Sequence, residues 1–109
     1  MPYDEKLALR VREIMKDKPG YIEHKMFGGM CFMLRGHMCC GIVKDDLMLR
    51  VGPDQYEGLL KKPHARKMDF TGRPMKGMIY VSAEGTGTPA ALKKWVEYAV
   101  NFNSSLPRK

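Results

Sequence analysis

A chain of 109 residues with 44% hydrophobic and 28% charged residues can bury a core as a single domain, and it carries neither a low-complexity tract nor an internal repeat, which excludes disordered and solenoid classes. The formal charge of +7 and the pI near 9.5 favour acidic partners, nucleic acid among them. Three cysteines, an odd number with Cys39 and Cys40 adjacent, do not make a disulfide framework and are read as thiols packed in the core.

From Asp4, "DEKLALRVREIMKD" places Leu7, Val11, Ile14 and Met15 on one face of a helix, which Pro19 and Gly20 end. Its regular charges break any apolar run of the length that a signal peptide or membrane span needs, so a cytoplasmic chain with no membrane contact is expected. Between Lys25 and Val51, short apolar runs alternate with turn residues: "KMFGGMCFML", "RG", "HMCCGIVK", "DD", "LMLRV". The pattern predicts three strands and two tight hairpins. A first turn centred on Arg35 and Gly36 sets Met33 opposite Met38 and Cys31 opposite Cys40, and a second at Asp45 and Asp46 sets Val43 opposite Met48. One face then carries Cys31, Met33, Met38, Cys40 and Ile42, the other Met30, Phe32, Leu34, Cys39 and Val43, so neither is polar. Helices cover one face; the other is left for a second copy, for a partner, or for the chain's own loops and long basic stems.

"VGPDQYEGLLKKP" predicts a short helix that begins near Pro53 and ends by Pro63. "RKMDF" and "GMIYVS" follow as two strands around the loop "TGRPMK". "TPAALKKWVEYAVNF" is a helix capped by Thr88, with Leu92, Trp95, Val96, Ala99 and Phe102 on its apolar face, and residues 103–109 form a frayed tail. The expected class is α+β: two layers, a largely antiparallel five-stranded sheet with helices on one side, in the order α-β-β-β-α-β-β-α.

No motif points to catalysis. "FGGM" and "GTG" match neither glycine-rich phosphate fingerprint, and Gly28 and Gly29 instead suggest a bulge or a place where a helix backbone lies close to the sheet. The spacing of Cys31, Cys39, Cys40, His24, His37 and His64 suits no zinc ribbon or finger, because adjacent strand residues point to opposite faces. No catalytic residue, metal or cofactor is expected. The strongest local feature is charge: Lys61, Lys62, Arg66, Lys67, Arg73 and Lys76 stand against one acid, Asp69. Either these bases grip phosphates or carboxylates, or Asp69 pairs with Arg66 or Arg73 and the lysines stay in water.

Taken together, "KMFGGMCFMLRGHMCCGIV", "DDLMLRVGP", "PHARKMDFTGRPMKGMIYV" and "LKKWVEYAVNF" resemble the amino-terminal domain of the TfoX (Sxy) family, regulators linked to natural competence, from about Glu5 to Phe102. The resemblance implies a two-layer α+β domain, no catalytic activity and a role in transcription regulation. Full-length regulators of that family carry a second, helical, DNA-binding-like carboxy-terminal domain, and this sequence ends soon after Phe102. The expectation is a non-enzymatic regulatory or adaptor domain. It acts as a homodimer through Met33, Met38, Cys31 and Cys40, and contacts an acidic partner through Arg66, Lys67, Arg73 and Lys76, with His64 and Arg50 as further binding residues. The alternatives are direct nucleic-acid binding through segment 61–76 and, from a different class, a small-ligand binder or thiol enzyme.

Overall fold

A computed structural model describes residues 4–26, 29–67 and 77–106. The Asp4 carboxylate accepts hydrogen bonds from the Lys6 and Leu7 amides at 3.0 and 3.1 Å, satisfying two donors that a helix start leaves open. The helix it caps, α1 (Glu5–Met15), buries Leu7, Ala8, Val11 and Met15. Six strands follow: β1 (Tyr21–Met26), β2 (Gly29–Leu34), β3 (His37–Val43), β4 (Asp46–Arg50), β5 (Ala65–Lys67) and β6 (Met78–Val81). They form one sheet in the order β1-β2-β3-β4-β6-β5, with every neighbouring pair antiparallel. Two more helices, α2 (Pro53–Leu60) and α3 (Pro89–Ser104), share the main core with α1, and a 3₁₀ turn at Ala83–Thr86 leads into α3.

The α+β class agrees with expectation, and the sheet has six strands rather than five. Met26 pairs with Gly29, so "KMFGGMCFML" spans the end of one strand and the whole of the next. β1 escaped an apolar-run criterion because half of it is polar: Glu23, His24 and Lys25. Its inward positions are specific all the same. Tyr21 stacks on Phe32, and Arg12 of α1 grips Glu23 with two bonds, at 2.6 and 2.8 Å. That fork holds the Glu23 carboxyl below its ordinary pKa.

The first hairpin turn falls where expected, with Arg35 and Gly36 both left-handed (φ 53° and 85°), as a tight hairpin of this twist requires. The second sits one residue earlier than expected. Lys44 takes the left-handed conformation (φ 55°), so Val43 faces Asp46 and not Met48. A slide of two positions keeps Met48 on the face of Val43, but that face is the one away from Phe32 and Leu34, opposite to expectation.

The larger correction is a bulge. Phe32 pairs with Cys40 and Met33 with Met38, leaving Cys39 as an extra residue in β3, and Cys31 faces Gly41 rather than Cys40. Alternation therefore breaks at Cys39, and both Cys39 and Cys40 belong to the helix-side core, with Cys40 Sγ 3.3 Å from Met15 Sδ. Cys40 does not share a face with Met33 and Met38. Cys31 and Cys40 are both fully buried within one copy, so neither offers surface to a second.

The opposite sheet face is largely closed as well. Met48 lies over Gly41, where a Cβ would sit 2.6 Å from its Cε, and Met48 is 1% exposed. Met38 and Tyr80 pack half-buried around Met48 and Met78. Gly29 is a close approach to strand β3 rather than to a helix: a Cβ there would collide with the Ile42 carbonyl oxygen.

α3 starts at Thr88, whose Oγ1 accepts from the Ala91 amide at 3.1 Å, and continues through Ser104, beyond the point where fraying was expected. Asn103 is buried there and donates to the Leu34 carbonyl at 3.2 Å. Gly29→Ala should lower the urea midpoint by the equivalent of about 1–3 kcal/mol, the usual cost of forcing atoms into a packed site. An unchanged midpoint would contradict the close approach.

Candidate functional site

The fold splits the basic segment between two surfaces. α2 ends at Leu60, leaving Lys61 and Lys62 exposed. His64 turns the chain into β5 in the left-handed region (φ 74°), its carbonyl accepts from the Ser82 amide at 2.9 Å, and its Nδ1 lies 3.9 Å from Glu84 Oε2. Gly85 lets the 3₁₀ turn press against it, since a Cβ at that position would be 2.8 Å from the His64 Cβ.

One residue pair further on, Arg66 faces the other side of the sheet, beside Tyr80 in the ladder. Its guanidinium lies 5.3 Å from the Tyr80 ring centroid and its Nη2 is 2.6 Å from Asp46 Oδ2. The acid that pins Arg66 is therefore Asp46, twenty positions away, and the pair is half exposed, so it contributes little to stability. Lys67 pairs with Ile79 in the ladder. Asp69, Arg73 and Lys76 lie outside the described residues. Arg50, at the end of β4, sits 5.6 Å from the Phe102 ring centroid beside a cavity of about 390 Å³ walled by Met38, Met78, Pro53 and Phe102. Arg50, Arg66 and His64 thus do not converge on one site.

A second cavity, of about 320 Å³, does gather cations. Lys62, Pro63 and His64 form one wall, and Ala91, Lys94, Trp95 and Tyr98 of α3 form the other. Trp95 meets Tyr98 edge to face at 5.9 Å. Lys94 was not singled out in the sequence, although it precedes the tryptophan of the α3 apolar stripe; charge counted along a segment does not reveal charge gathered across space.

Two of the three thiols, Cys31 and Cys40, are held in the unreactive form. Burial pushes Cys31 up to about 11, and a hydrogen bond with Cys39 together with burial pushes Cys40 well above the ordinary thiol value. Both stay protonated near neutral pH, and the thiolate is the reactive form. Among the described residues no three His, Cys, Asp or Glu side chains group as metal ligands, and no helix is long and apolar enough to cross a membrane. A colorimetric disulfide reagent at pH 8 should react with these cysteines only after denaturant is added. A rapid native reaction at Cys31 or Cys40 would contradict this burial.

Comparison with curated proteins and with solved structures found no match. The sequence profile of the TfoX N-terminal domain matches residues 13–103, from the last turn of α1 through all six strands to the buried Asn103. With most of its length and both walls of the cationic groove inside that match, the chain belongs to the TfoX N-terminal domain family.

Proposed function

We propose that the protein is a non-enzymatic domain of this regulatory, competence-related family that acts as a homodimer by contact with an acidic protein partner. The observation that carries the partner's chemistry is the state of the lysines at the end of α2 and the start of α3. Lys61, Lys62, Lys93 and Lys94 are all exposed, and among the described residues none of them is in an ion pair. Arg12, Lys16 and Arg66 are each paired with an acid. Unpaired surface lysines raise the encounter rate with an acidic surface and select against a basic one. Arg66, on the other side of the sheet and held by Asp46, is not part of that contact, and Lys67, Arg73 and Lys76 add to the net positive charge.

The dimer rests on a row of apolar side chains. Ile22 stands opposite Met33, and Met33 opposite Met38, across three adjacent strands on the face away from the helices. Met33 and Met38 are half-buried, while Ile22 is 51% exposed on an edge strand. A second copy laid on this row covers the apolar surface that the rest of the face leaves open.

Sedimentation velocity tests both parts at once, with the protein alone and with a labelled DNA duplex at two salt concentrations. The expected result is a dimer that does not travel with DNA at physiological salt and a monomer after Met33→Lys. A wild-type monomer or an unchanged Met33→Lys dimer would contradict the placement of the interface. Salt-sensitive co-sedimentation with DNA would replace the protein partner by nucleic acid.

A further inference from the structure

We infer that the groove between residues 62–64 and α3 is a docking site for an acidic peptide segment that seats an aliphatic side chain between Pro63 and Trp95, flanked by carboxylates on Lys62 and Lys94. This rests on the proposed contact with an acidic protein and names the surface that makes it.

Three observations select that occupant. The groove has a cation on each wall, Lys62 on the loop and Lys94 on α3, and neither has an acidic partner among the described residues. Beside the loop wall, Glu84 Oε2 lies 3.9 Å from His64 Nδ1, and among the described residues it pairs with neither lysine. Charge on both walls therefore favours a segment with carboxylates on either side of its point of insertion. Between the cations the lining is Pro63, Ala91, Trp95 and Tyr98, an apolar surface in a space of about 320 Å³. That volume takes one or two side chains. The aromatic geometry argues against a stacked nucleotide: Trp95 is 8% exposed and packs edge to face on Tyr98, so it does not present a free ring face to a base. An aliphatic group needs only the small exposed part of Trp95 and the proline that shares the lining.

The groove is also held open from beneath. Trp95 is anchored in the main core by its neighbours on the α3 stripe, Leu92, Val96 and Ala99. The opposite wall is fixed by the His64 carbonyl bond to Ser82 and by the packing of Gly85 against His64. Both walls are thus formed before a ligand arrives, which lowers the ordering cost of binding.

The test uses the full chain and a fluorescein-labelled peptide of two leucines set among glutamates, read by anisotropy and by the emission of Trp95, the one tryptophan of the chain. Two charge-matched variants separate the groove from general attraction: Lys62→Glu with Lys94→Glu, and Lys61→Glu with Lys93→Glu. The expected result is a change in Trp95 emission on binding, a loss of about tenfold or more in affinity for the groove pair, and a loss under about threefold for the control pair. Equal losses in the two pairs would overturn the groove while leaving an acidic partner in place. Unchanged affinity when the leucines are replaced by glycine, or no binding at low salt, would overturn it as well.

Discussion

The seating of α3 on the sheet is the constraint on which the remaining structure depends. Leu92, Trp95, Val96 and Ala99 of this helix cover the centre of the sheet, and each large side chain so buried contributes about 1.5–3 kcal/mol. Polar bonds fix where the helix lies. Asn103 donates to the Leu34 carbonyl, and Arg35 donates to the Asn103 carbonyl at 2.8 Å, which ties the last turn of α3 to the first hairpin. At the other end Arg10 of α1 donates to Thr86 at 2.7 Å, just before the Thr88 cap. A hydrogen bond adds only about 1 kcal/mol net, but leaving the buried Asn103 unpaired costs more, so these bonds set position while the apolar stripe supplies the energy.

That seating also explains why the sheet is apolar on both sides without leaving a broad sticky face. On the helix side the bulge at Cys39 turns two consecutive cysteines inward, where small residues fit beside Met15. On the other side Gly41 makes room for Met48, a flexible chain that fills an irregular gap. Among the described residues of that face, Ile22 is exposed on the β1 edge with Met33 and Met38 half-buried beside it, and the Arg66 and Asp46 pair lies toward the other edge. At the helix flank, Lys62 and Lys94 stand on opposite sides of one groove.

Much of the fold was legible because local chemistry agreed with the final structure. Thr88 before Pro89 marked the start of α3, and Arg35-Gly36 marked a turn that needs two left-handed residues. The failures share a cause: each depended on a residue far away in sequence or on a choice between near-equals. β1 is polar at half its positions and becomes a strand through Phe32 and Arg12. Asp45-Asp46 and Lys44-Asp45 are both plausible turns, and Lys44 took the left-handed position. Nothing in "HMCCGIV" indicates which residue is extra, so the bulge and the burial of Cys40 on the helix side were hidden. The site suffered most, since Arg66 found Asp46 and Lys62 found Lys94 only across space.

Backbone amide shifts of the full chain, followed as the acidic, leucine-bearing peptide is added, locate the partner surface directly. The groove predicts shifts concentrated at Lys62, His64 and Ala91 through Tyr98, with the Trp95 indole proton moving among the first. Shifts centred instead on Ile22, Met33 and Met38, or on Arg66 and Asp46, with the Trp95 indole unmoved, would contradict it.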